Sequence, residues 1–133
     1  MILIVDDSGD IRELIKRALA KDGFFPEMAA NGREALRLIE AGLKPSLIFL
    51  DTNMDVMDGV EFIKQLNDRF PDLNSKIVTI SADEENAAGP RIVGNIKKPL
   101  DLQALRKMAR TYATHRDKAN PEFLNEYQKK REH

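Results

Sequence analysis

Five side chains of this 133-residue chain could do chemistry together: Asp6, Asp7, Asp51, Ser81 and Lys98. Each follows an apolar run: Ile2–Val5 precedes the acid pair, Leu47–Leu50 precedes Asp51, Lys76–Ile80 precedes Ser81, and Ile92–Ile96 leads to Lys97-Lys98-Pro99. Taken singly they have ordinary explanations as a helix cap, a turn hydroxyl and a solvated lysine. Taken as a set they do not. Two carboxylates about 4 Å apart repel by roughly 4 kcal/mol at an effective dielectric near 20, against ~1 kcal/mol contributed by a helix cap. Such crowding is sustained by a cation or by an acid that stays protonated. The donors are all oxygen, with no cysteine in the chain, which points to a hard ion. Mg2+ fits best, because it accepts one or two carboxylates and leaves room for a phosphate oxygen. A carboxylate beside Mg2+, with an ammonium and a hydroxyl aimed at the same space, suits phosphoryl transfer onto an aspartate.

These residues need strands whose carboxyl ends meet. Apolar runs alternating with helical spacing predict an α/β fold, a doubly wound parallel sheet of five strands. Ser8-Gly9-Asp10 caps a first helix carrying Ile11, Leu14, Ile15, Ala18 and Leu19, which Gly23 stops. Phe24–Ala29 is a weak strand, and Pro26 places it at a sheet edge. Asn31-Gly32 opens a second helix that Gly42 ends, and Gly59–Phe70 is a third, closed by Pro71. The last helix of the pattern begins near Leu100, with Leu102, Leu105, Met108 and Tyr112 as its buried stripe. The fourth crossover departs from this rhythm. Only 82–88 could be helical before Gly89-Pro90, so the fourth helix should be shortened or missing. After a domain spanning 1–114, an extension over 115–133 carries Asn120-Pro121 and the apolar residues Phe123, Leu124 and Tyr127, which predict an extra C-terminal helix packing back on the domain.

A net charge of −1 gives no field for nucleic acid. No apolar run approaches the length of a membrane span, and the start is too short for a signal-peptide core. A cytoplasmic protein is expected. His115 and His133 have no catalytic partner in the sequence pattern.

At this point the chain resembles the response-regulator receiver domain, the chemotaxis-regulator type of flavodoxin-like fold with strand order 2-1-3-4-5. Ile2-Leu-Ile-Val-Asp6-Asp7-Ser8 resembles its opening strand and acid pair, and Asn31-Gly-Arg-Glu-Ala-Leu36 its second-helix entry. Asp51-Thr-Asn-Met-Asp-Val-Met-Asp-Gly59 resembles its phosphoacceptor loop, with Ser81-Ala82 and Lys98-Pro99 as the remaining elements. The resemblance covers about residues 1–112. It implies that Asp51 takes a phosphoryl group from a histidine kinase or histidine phosphotransferase. Mg2+ would be held by Asp7, Asp51 and the backbone carbonyl of Asn53, with Asp6 acting mainly through water. Lys98 would contact the phosphoryl group across a cis Lys98–Pro99 bond, and Ser81 would swing to bond a phosphoryl oxygen. Asn53 and Asp83 would tune autodephosphorylation. Such a domain is no enzyme beyond its own phosphorylation and slow dephosphorylation, and it signals to a downstream protein target.

Two departures bear on output. Asp55 stands where the family commonly has proline, and Asn95 stands where it usually has the aromatic residue that moves with the hydroxyl. The missing aromatic and the shortened fourth helix motivate an alternative, a docking module that works without phosphorylation. A third reading, a phosphohydrolase with an aspartate nucleophile, is disfavoured because Asp51-Thr52-Asn53 lacks the second acid.

Overall fold

The Ile2–Val5 run forms β1 and Leu47–Asp51 forms β3, and every residue of both strands is buried. Strands covered on both faces belong to the centre of a parallel sheet, and these two pair directly, Ile2 with Leu47 through Val5 with Leu50. The computed structural model describes residues 1–82 and 89–113. Around the central pair lie α1 (Gly9–Ala20), β2 (Glu27–Ala29), α2 (Gly32–Glu40), α3 (Gly59–Arg69), β4 (Lys76–Ser81), β5 (Ile92–Lys97) and α4 (Leu102–Tyr112). The sheet is parallel throughout, in the order β2-β1-β3-β4-β5. The predicted fold class and strand order are therefore observed. The expectations for the 82–88 helix beyond Ala82, for Asp83, and for the helix near Phe123 fall on residues outside those described.

Helix boundaries follow local chemistry. Ser8 caps α1 through its hydroxyl, Asn31 caps α2, Asp58 caps α3 and Asp101 caps α4, each accepting from backbone N–H groups of the first turn. Gly23 and Gly42 turn the chain after α1 and α2 at φ of 82° and 114°, where a side chain would be strained. β2 is shorter than predicted: Glu27–Ala29 pairs with β1 directly after Pro26, which has no N–H to donate, and Phe24 is buried and stands as an isolated bridge.

Two apolar clusters flank the sheet. Leu36, Ile39, Phe62 and Leu66 of α2 and α3 cover one face, and Ile15, Leu19, Leu105 and Ala109 of α1 and α4 cover the other. On α4 the fully buried pair is Leu105 and Ala109, whereas Leu102, Met108 and Tyr112 of the predicted stripe are half-buried.

β5 carries one extra residue. Its register runs Ile77 with Ile92, then Val78 with Gly94 and Thr79 with Asn95. Val93 is the bulged residue, so Ile92 faces the α2/α3 cluster and Ile96 the α1/α4 cluster. A one-residue slip exchanges the faces of a strand, and here it turns Asn95 toward the same side as Thr79 and Ser81.

Candidate functional site

The parallel register brings the chemical residues to one edge. Val5 pairs with Leu50, Asp51 with Ile80 and Ser81 with Lys97, so Asp6, Asp51, Ser81 and Lys98 stand at four adjacent strand ends. Asp6 and Asp51 are each 2% exposed and Ser81 is 6% exposed, while Asp7 lies open to solvent. One carboxylate oxygen from each of Asp6, Asp7 and Asp51 lies within 4.8 Å of the others. The convergence predicted for the three acids is real.

Each acid is held differently. Asp6 Oδ1 accepts from the Ser8 N–H at 2.9 Å, and its backbone carbonyl accepts from Arg12 Nη1 at 2.7 Å. Its second oxygen, Oδ2, is buried with no hydrogen-bond partner among the described residues. Burial pushes the Asp6 carboxyl above the usual carboxylate range, and the Asp51 charge adds to this against the Ser8 N–H. Asp51 Oδ1 accepts from the Asn53 N–H at 3.1 Å and from Lys98 Nζ at 3.2 Å. Lys98 is half-buried, and the Lys98–Pro99 bond is cis, as the resemblance implied.

The loop after Asp51 is closed by backbone contacts. The Thr52 N–H donates to the Ile80 carbonyl at 3.1 Å, and the Gly59 N–H donates to the Thr52 carbonyl at 3.2 Å. A Cβ on Gly59 would sit 2.8 Å from Thr52 Cα, so only glycine allows the loop to return this closely. Asp55 is exposed, and Met54 fills the space beneath the loop.

A buried carboxylate oxygen without a donor, inside a group of three acids, is what a small hard cation would satisfy. The donor set fits Mg2+: oxygen ligands only, with open space on the Asp7 side. When bound, Mg2+ would supply positive charge to neutralise the oxygens of an incoming phosphoryl group.

Sequence reasoning missed one part of this edge. Thr79 is wholly buried, and its hydroxyl donates to Asn95 Oδ1 at 2.8 Å. Ser81 Oγ lies 3.5 Å from the same oxygen. The available signal was period-two spacing, which puts Thr79 and Ser81 on one face of β4. The bulge that brings Asn95 to meet them leaves no mark in the residue types.

Comparison with known proteins agrees with this geometry. The family model described as "Response regulator receiver domain" matches residues 2–110. Sporulation initiation phosphotransferase F of Bacillus subtilis is 30% identical over 118 residues, covering 84% of this chain and 91% of its own length. Response regulator MprA of Mycolicibacterium vanbaalenii is 41% identical over 78 residues, and regulatory protein AtoC of Escherichia coli is 34% identical over 107. The matched stretch spans only 33% of the former and 23% of the latter. Among solved structures, the chemotaxis response regulator CheY4 of Vibrio cholerae superposes with a TM-score of 0.72 at 28% identity, covering 84% of this chain and 96% of that one. The chain therefore belongs to the response regulator receiver domain family of two-component signal transduction.

Proposed function

We propose that the chain is a phosphoacceptor whose nucleophile is Asp51, charged by a histidine kinase or histidine phosphotransferase. The observation that carries this reading is the 3.2 Å contact of Lys98 Nζ with a 2%-exposed Asp51, inside a cluster of three acids. An Asp51 oxygen attacks the phosphorus of a phosphohistidine, forming the P–O bond as the P–N bond breaks. The leaving imidazole keeps the electron pair and takes a proton. Lys98 balances charge on the phosphoryl oxygens, and Ser81 donates to one of them. Asp6, Asp7, Asp51 and the Asn53 carbonyl would hold the Mg2+.

Residues 1–114 form the receiver in this reading, with 115–133 as an appended segment. Output runs to a protein target or onward to another histidine; the relative named a phosphotransferase supports the latter. No helix among the described residues is long and apolar enough to cross a membrane, which accords with a cytoplasmic role.

The test is incubation with Mg2+ and a small phosphodonor such as acetyl phosphate, followed by mass spectrometry. Wild type should gain one phosphoryl group and Asp51→Asn none at that site. An unlabelled wild type would instead favour the docking reading, in which Asp51 is never charged.

A further inference from the structure

We propose that Asn95 is a positioning residue: its side-chain oxygen holds the Ser81 hydroxyl back, and so sets how readily that hydroxyl reaches a phosphoryl group on Asp51. The inference rests on the reading of Asp51 as phosphoacceptor. Its own basis is a three-residue cluster on one face of the β4–β5 pair. Thr79 Oγ1 donates to Asn95 Oδ1 at 2.8 Å, an ordinary strong geometry. Ser81 Oγ reaches the same oxygen at 3.5 Å, at the outer limit of a hydrogen bond. Thr79 therefore anchors the amide, and the anchored amide offers Ser81 an acceptor that is easily exchanged.

A hydroxyl has one proton to donate. While it points to Asn95 it cannot point to a phosphoryl oxygen, and when it turns to the phosphoryl oxygen the Asn95 contact is lost. Asn95 and the phosphoryl oxygen compete for that donor, so the Asn95 contact favours the phosphoryl-free arrangement. Geometry adds a direction of transmission. Asn95 sits on β5, at the margin of the sheet and half-buried, whereas Thr79 and Ser81 lie inside. Loss of the Ser81 contact leaves Thr79 as the side-chain partner of the amide among the described residues, beside solvent-accessible surface. The Val93 bulge makes this possible. Without the extra residue Asn95 would pair with Ile80 and face the α1/α4 side.

The experiment is a double-mutant cycle in the full chain, read by titration with beryllofluoride in the presence of Mg2+. Asn95→Leu keeps the branched heavy-atom shape, at a somewhat larger volume, and removes the acceptor. It should tighten beryllofluoride binding about twofold to threefold, the lower end of the scale of one neutral hydrogen bond, because the contact is long. In a Ser81→Ala background the same change should do nothing. Thr79→Val, nearly isosteric, releases the amide and should shift binding in the same direction by less, which keeps the test open if Asn95→Leu folds poorly. Affinity for Mg2+ alone should be unchanged in both, whereas a general loosening of the site would alter it. Equal tightening with and without the Ser81 hydroxyl, or no tightening in a wild type that binds beryllofluoride, overturns the role of Asn95. A folded wild type that fails to bind beryllofluoride at all overturns the phosphoacceptor reading first, and this inference with it.

Discussion

The two ends of the sheet solve opposite problems. At the end where β4 begins, backbone groups are paired one to the next: the Ser46 N–H donates to the Met1 carbonyl at 2.8 Å, and the Lys76 N–H donates to the Ser46 carbonyl at 2.9 Å. Arg91 gathers what remains. Its guanidinium donates to the carbonyls of Leu73 and Phe70 and to Asn67 Oδ1, tying the α3–β4 connection to the start of β5. At the other end, three acids crowd together and a buried Asp6 oxygen has no donor among the described residues. The first end is built for stability. The second holds repulsion that Lys98 relieves only in part, which a cation and a phosphoryl group can use.

That contrast can be broken at either end. The largest effect is expected at Lys98→Met, which removes the ammonium from Asp51. The rate of phosphorylation by acetyl phosphate should fall about 100-fold or more, as for loss of one preorganised charge at a reacting group, with little change in melting temperature. At the opposite end, Arg91→Ala strands several half-buried carbonyls. It should cost about 2–4 kcal/mol in denaturant unfolding while leaving Mg2+ affinity unchanged.

A smaller effect with the reverse sign is expected at Asp6→Asn, which should raise the stability of the metal-free protein by about 1 kcal/mol. The pH dependence follows from the raised Asp6 pKa. The protonated form is favoured in the folded state, so its stabilising contribution is complete below the ordinary carboxylate pKa and is lost as pH rises through the raised value. Unfolding measured across that window without metal should show the loss in wild type and not in the variant, and saturating Mg2+ should offset it.

The smallest effect is expected at Asp22→Asn. Asp22 lies just beyond α1 and is bridged by Arg106 at 2.8 Å and Arg110 at 3.2 Å from α4, and the Arg106 hydrogen bond holds its carboxyl below the usual range. That contribution is present above the ordinary carboxylate pKa and is lost as pH falls through the lowered one. The two acids should therefore give stability slopes of opposite sign, Asp6 above the ordinary range and Asp22 below it. The Asp22 slope should flatten in high salt because both arginines reach solvent.

Much of this was legible in residue order. Asp6, Asp7, Asp51, Ser81 and Lys98 stand where strand-end chemistry predicts, because a parallel βα repeat delivers every strand end to the same edge. The caps Ser8 and Asn31 were legible too, since their effect is local. Less was visible where pairing matters. β2 pairs with β1 only over Glu27–Ala29, and the role of Arg91 depends on carbonyls over 15 residues away in sequence.

The sequence alone determined the class of fold and the acids that meet at Asp51, because period, spacing and charge are properties of residue order, and its motifs carried the resemblance to the family. Only the tertiary structure decided which acid is orphaned and what stands beside Ser81. Burial of Asp6 Oδ2 depends on how the Asp6–Ser8 turn settles against its neighbours. The meeting of Asn95 with Thr79 and Ser81 depends on one extra residue in β5, a matter of register between strands that no residue type records.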